Sequence, residues 1–262
     1  MNKNISFLKA SSQLKQSCYH CNINSLCIAA TLGSSDISKL DDIVTQHKPL
    51  SKGDMLYSRG DRFQSVFIIK TGSIKTYIVD SSNIKKITGF YFPGDLIGLN
   101  AISANIYYDY AEVLETSTIC QAPFEQLDKL SVYLPQLRRK ILQLMSKSIF
   151  DEQQMLQLLA QKNADQRIAT FLLYVSNHFK TRGFSGSRFR LSMSRYEIGS
   201  YLGLTTETVS RTLSRLQKSN YLVAEKKEIG ILNFAALLTL SGVPNISSSI
   251  PTKRSFQIQA QP

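Results

Sequence analysis

Residues 191–223 read LSMSRYEIGSYLGLTTETVSRTLSRLQKSNYLV, and this stretch decides the fold of the C-terminal part of the chain. Ser194-x-x-Glu197 has the form of a capping box, in which each side chain satisfies an orphan backbone donor at a helix start. The helix that follows would bury Ile198 and Leu202. Gly203 then permits a sharp turn, and Thr205 caps a second helix with Val209, Leu213 and Leu216 inward at i, i+4 and i+7. Two short helices joined through a glycine turn form a helix-turn-helix. The outward face of the second helix carries Thr206, Glu207, Ser210 and Arg211 at its N-terminal end, where a recognition helix meets base edges; Thr208 is counted with them as a DNA contact. Arg211 can bond guanine bidentately, Glu207 can accept from a cytosine amine, and Ser210 can serve several bases. Arg195, Arg215 and Lys218 are candidate phosphate contacts. Residues 221–234, with Lys226 and Lys227, read as a β wing against the DNA backbone.

The charge supports a polyanion partner. The 262 residues carry a formal net charge of +12, and it is unevenly placed. Residues 1–160 hold 17 Lys and Arg against 14 Asp and Glu, whereas residues 161–262 hold 14 against 5. A basic excess in the half that contains the helix-turn-helix points to nucleic acid. No stretch approaches the about 18 apolar residues of a membrane span, and the polar N-terminus is no secretory signal, so the expected compartment is the cytoplasm.

Upstream, residues 134–160 form the predicted central helix. It has no Gly or Pro after Pro135, and Ile141, Leu144, Met145, Ser148, Glu152, Met155 and Leu159 recur at three- and four-residue steps. A helix this long needs a partner along its length, and a twin from a second chain suffices, so these seven residues form the expected dimerisation seam. Glu152 would face its copy across that seam and repel it. Residues 31–133 read as a sensor domain. A short amphipathic helix carries Ile37, Leu40, Ile43 and Val44. It is followed by runs such as Ser65–Ile69, Ile74–Val79, Ile87–Phe92 and Glu112–Ile119, punctuated by glycines, which suggests an antiparallel β-roll or barrel. The predicted fold class is therefore α+β: an N-terminal β-roll, a long central helix and a winged helix-turn-helix at 161–243. Residues 1–30 form an arm, and residues 244–262 a tail rich in Ser, Pro and Gln that is predicted to be disordered.

The arm carries the remaining chemistry. Cys18-x-x-Cys21-x5-Cys27 puts three soft ligands on one loop, and Cys120 lies far away in sequence. In a reducing compartment clustered cysteines bind metal or act catalytically more often than they form disulfides. Spacing alone leaves two occupants open: an iron–sulfur cluster on four thiolates, or a structural zinc, for which His20 inside the loop offers a nitrogen.

With these parts in order, the chain resembles the CRP/FNR superfamily of bacterial regulators. The resemblance rests on Lys52-Gly53-x-x-Leu56-x3-Gly60-Asp61, on Phe67-x-Ile69-x-x-Gly72, on Phe92-x-Gly94-Asp95-x-x-Gly98, on the long helix, and on Glu207-Thr208-x-Ser210-Arg211. Within the superfamily, Cys18, Cys21, Cys27 and Cys120 fall on the ligand pattern of the FNR branch. The resemblance implies a [4Fe–4S] cluster on those thiolates, its loss in oxygen, and a cluster-bearing homodimer that binds double-stranded DNA at a TTGAT-N4-ATCAA-like palindrome to activate or repress anaerobic genes. RNA polymerase is an implied partner, although the turn 80–86 carries Ile84, Lys85 and Lys86 where such regulators often carry acids.

Other classes fit less well. The cyclic-nucleotide relatives hold their phosphate with a Gly-Glu and an Arg-Ser pair, whereas this chain has Gly98-Leu99-Asn100-Ala101 and Tyr107-Tyr108-Asp109-Tyr110-Ala111, so no cyclic nucleotide is expected. Three histidines, no nucleophile motif and no Gly-rich phosphate loop argue against an enzyme.

Overall fold

The structure is a computed structural model that describes residues 17–242. The first sixteen residues, and the tail expected from residue 244, lie outside the described residues. The arm begins with three short 3-10 turns, Cys18–His20, Asn24–Leu26 and Ile28–Thr31. Helix α1 spans Ser34–Ile43 and ends earlier than its apolar pattern suggested, because Val44 turns extended and feeds β1 (Thr45–Gln46) into a sheet.

The β-roll follows as β2 (Met55–Tyr57), β3 (Ser65–Thr71), β4 (Ile74–Val79), β5 (Lys85–Tyr91), β6 (Leu96–Ile97), β7 (Tyr110–Val113) and β8 (Thr118–Pro123). They form two four-stranded antiparallel sheets, ordered β1-β8-β3-β6 and β2-β7-β4-β5. The run Glu112–Ile119, expected as one strand, is two. Val113 pairs with Ile74 in one sheet and Thr118 with Thr71 in the other, so the chain changes sheets at residues 114–117. Val66, Ile69, Ile74, Ala111, Val113 and Ile119 are buried between the sheets.

Helix α2 (Phe124–Tyr133) precedes the long helix α3 (Pro135–Gln161), and the sequence reading had not separated it. Pro135 starts α3 where its missing N–H costs nothing. Along the expected seam on α3 the packing partner changes from one domain to the other. Ile141 and Leu144 pack on the β-roll core, and Met155 and Leu159 pack on the DNA-binding core. The large apolar side chains that α3 leaves exposed are Leu142, Ile149, Phe150 and Leu156. Leu142, Ile149 and Leu156 recur every seven residues, a coiled-coil spacing. Glu152 is exposed and falls between Ile149 and Leu156 on that stripe; Met145 and Ser148 are half-buried.

The C-terminal domain comprises α4 (Ala164–Thr181), β9 (Arg188–Arg190), α5 (Arg195–Leu202), α6 (Thr206–Lys218), β10 (Leu222–Glu225), β11 (Glu228–Ile231) and α7 (Phe234–Ser241). The wing is a three-stranded sheet, β10-β11-β9, whose β9 lies before α5 and outside the expected 221–234. The two domains share apolar contacts. Phe90 and Phe92 of the β-roll belong to the same buried cluster as Phe171, Ile198 and Leu213, and the Phe90 ring meets Tyr201 edge-on at 5.0 Å between centroids.

Candidate DNA-reading surface and thiol site

The helix-turn-helix is built by local chemistry. Ser194 Oγ accepts the Glu197 N–H at 3.2 Å, and Glu197 Oε2 accepts the Ser194 N–H at 2.6 Å, completing the capping box. Gly203 closes α5 in the left-handed region (φ 63°), where a side chain would be strained. Thr205 Oγ1 accepts the Thr208 N–H at 3.1 Å and caps α6. Val209, Thr212, Leu213 and Leu216 are buried beneath α6.

Thr206, Glu207 and Arg211 are exposed on the first turns of α6, with Arg211 and Glu207 3.7 Å apart. Ser210 is half-buried, and its hydroxyl donates to the Thr206 carbonyl at 3.0 Å. Thr208 is half-buried, and its hydroxyl lies 2.9 Å from that of Thr205, the capping residue. Arg195 opens α5 and is half-buried, and Lys218 is exposed at the last turn of α6. Arg215 is paired with Asp165 of α4, a partner the sequence did not disclose because fifty residues separate them. Lys226 is exposed at the wing turn, whereas the Lys227 amine donates to the Ser192 carbonyl. In the turn 80–86, Lys85 lies 4.4 Å from the Tyr77 ring centroid and 3.2 Å from Glu112, and Lys86 lies 3.8 Å from Asp80.

The four cysteines are gathered at one end of the β-roll. Cys27 is buried, Cys18, Cys21 and Cys120 are half-buried, and all four join one apolar cluster with Ile23 and Ile28. Cys120 is delivered by β8, opposite Gln46 and Ile68. The loop is pinned by Asp41 of α1, whose carboxylate accepts the Ser17 hydroxyl at 2.5 Å and the Cys18 N–H at 2.8 Å. Asn24 donates to the Cys18 carbonyl at 2.7 Å. Burial pushes the Cys27 and Cys18 thiols up, with Asp41 adding to the effect at Cys18. Burial, reinforced by Cys27 and Cys21, pushes Cys120 up to about 12. Such thiols become thiolates only when a cation pays the desolvation. His20 is exposed, its ring edge-on to Tyr19 at 5.0 Å. Among the described residues no three His, Cys, Asp or Glu side chains stand close enough to grip a single metal ion.

Comparison with known proteins agrees with this geometry. A Crp-like helix-turn-helix domain matches residues 166–240 and a cyclic nucleotide-binding domain matches residues 47–133. The transcriptional activator protein FnrA of Stutzerimonas stutzeri is 46% identical over 90% of this chain and 96% of its own. The chain belongs to the FNR branch of the CRP/FNR family. Other FNR relatives include the fumarate and nitrate reduction regulatory protein of Vibrio cholerae, 46% identical over 86% of this chain and 90% of its own. Among solved structures, FixK2 of Bradyrhizobium japonicum superposes with a TM-score of 0.70 at 28% identity, covering 77% of this chain and 98% of that one. This FNR-branch chain is a DNA-binding transcription regulator.

Proposed function

We propose that the chain is an oxygen-responsive regulator that holds a [4Fe–4S] cluster on Cys18, Cys21, Cys27 and Cys120, and whose cluster-bearing dimer controls anaerobic genes. The observation that carries this reading is the donor set. Four thiols from two distant segments pack against the β-roll core, near enough for their charges to interact, and the His20 imidazole is exposed. When bound, the group supplies redox lability: oxidants reach a cluster near the surface and dismantle it. The chain's own residues do the rest. Asp41 fixes the entry of the loop, and Cys120 ties it to β8. The turn that follows Cys27 passes the constraint to the long helix, where Thr31 lies 3.5 Å from the Gln136 carbonyl of α3.

Dimerisation is assigned to the exposed stripe Leu142, Ile149 and Leu156, with Glu152 on it as the repelling charge that keeps the cluster-free pair marginal. Each subunit reads one half of a TTGAT-N4-ATCAA-like site through Glu207, Ser210 and Arg211, and activates or represses accordingly. A cyclic nucleotide does not suit the β-roll. Asp109 is buried there, its carboxyl pushed up by that burial, where a ligand phosphate would need a cation. RNA polymerase remains a proposed partner through a surface other than the 80–86 lysines, since Lys85 and Lys86 are engaged within the chain.

Metal analysis of protein purified without oxygen tests this reading. About four iron and four acid-labile sulfide per chain, with a visible band that bleaches in air, are expected. One zinc and no visible band would replace it with a zinc-stabilised DNA-binding dimer whose signal lies elsewhere.

A further inference from the structure

The DNA-reading domain is mounted on α3 only at one end. Arg167 of α4 donates to the carbonyls of Leu159 in α3, Lys162 in the hinge and Leu202 at the end of α5. Beyond that clamp a crevice of about 740 Å³ opens between α3, β5 and the helices α4 and α5, lined by Tyr91, Tyr174 and Tyr201. The apolar cluster around Phe90 and Phe92 and the contacts of Arg182 with Asp95 and the Pro93 carbonyl also join the two domains, but they do not reach the N-terminal cap of α5.

A second mount comes from the β-roll. Lys75 of β4 reaches the first turn of α5, with its amine 2.6 Å from Glu197 Oε1 and 2.9 Å from Glu112. The Lys75 side chain is 9% exposed, Glu112 17% and Glu197 15%, so this ion triad is largely withdrawn from solvent. The other Glu197 oxygen is the one that caps Ser194. One carboxylate therefore closes the capping box and receives the β-roll. The Ser73 hydroxyl meets that of Ser192 at 2.7 Å beside it, and Ser200 of α5 accepts the Ile87 N–H at 3.0 Å. Exposed surface pairs contribute little. A desolvated pair that shares a carboxylate with a helix cap fixes geometry, because either partner left alone keeps a buried charge.

We infer that Lys75 is a positioning residue for DNA reading: through Glu197 it fixes the start of α5 on the β-roll, so that α6 is presented at one angle. Arg167 holds the C-terminal end of α5 and Lys75 its N-terminal end. Thr206, Glu207 and Arg211 on α6 are exposed and, among the described residues, make no hydrogen bond or ion pair with Lys75 or Arg167. A palindromic site demands two readers at one spacing, so loss of either mount spreads the orientations and lowers affinity without touching a base contact.

The test uses the full chain purified without oxygen, with Lys75→Met, Glu197→Gln and the double variant. Gln at position 197 still accepts the Ser194 N–H, so the cap survives while the ion pair is lost. Affinity is measured on a duplex carrying the TTGAT-N4-ATCAA palindrome, which rests on the proposed function. Each single variant should bind about tenfold more weakly and the double variant no worse than either, with dimerisation by sedimentation and the visible spectrum unchanged. Limited proteolysis at the 162–163 hinge should quicken in all three. Additive losses, unchanged affinity, or tighter binding by Lys75→Met would overturn the assignment. If the unaltered chain ignores this duplex, the proposed site fails on its own. Hinge cleavage then decides the mount, and equal rates in all four proteins would refute it.

Discussion

Arg211 and Arg215 stand one helical turn apart on α6 in different electrical surroundings. Arg211 is about two-thirds exposed with the exposed Glu207 3.7 Å away, whereas Arg215 is held by Asp165. Arg211→Ala should cost about 1–3 kcal/mol of DNA affinity and relax the preference for guanine at one position of the half-site. Equal weakening on every sequence in a binding-site selection would make Arg211 a phosphate contact instead. Arg215→Ala should change affinity much less, and it should release Asp165 at a stability cost of about 0–1 kcal/mol, read by urea unfolding. The sequence made the exposed positions of Arg211 and Glu207 legible because they follow from place on one helix. It did not disclose the intrachain partners of Arg215, Lys227 and Thr208, because these come from a neighbouring helix, the segment before α5 and a cap.

At the scale of the element, the turn between α5 and α6 leaves no room for a side chain at Gly199. A Cβ on Gly199 would sit 2.6 Å from the Leu204 carbonyl oxygen. Gly199→Ala should therefore force α5 off the turn, cost about 1–3 kcal/mol in urea unfolding and weaken DNA binding in parallel. Full stability in that variant would show that the helices part freely. The long helix tells a different story. Its length and its freedom from Gly and Pro were readable, but its outward face was not. Leu137, Ile141 and Leu144 follow the same three- and four-residue steps as a dimer seam, and periodicity does not say which neighbour an apolar face will meet. The exposed stripe Leu142, Ile149 and Leu156 emerges only after the inward contacts are assigned. Glu152 survives on that stripe. Glu152→Ala should let the iron-free chain dimerise in sedimentation velocity, and a monomeric iron-free variant would remove Glu152 from the switch.

At the scale of the whole molecule, the arm that carries the thiol loop touches the start of α3 through Thr31 and Gln136, and Arg167 ties the end of α3 to the reading domain. The α+β order of β-roll, long helix and winged helix-turn-helix was legible because each part carries a local signature: glycine-punctuated strands, an unbroken helical repeat, and a capping box before a glycine turn. The cysteine spacing was legible, but it took the fold to show Cys120 of β8 near the loop that carries the other three, with His20 exposed. The joint between the β-roll and the reading domain was invisible, since Lys75 and Glu197 lie 122 residues apart. The most direct test of the account is DNA affinity measured on one anaerobic sample before and after admission of air, using the palindromic duplex. The account predicts tight binding by a dimer that is lost as the visible band bleaches, with Cys120→Ser weak under both conditions. Binding that is unchanged by air, or retained by Cys120→Ser, would contradict it.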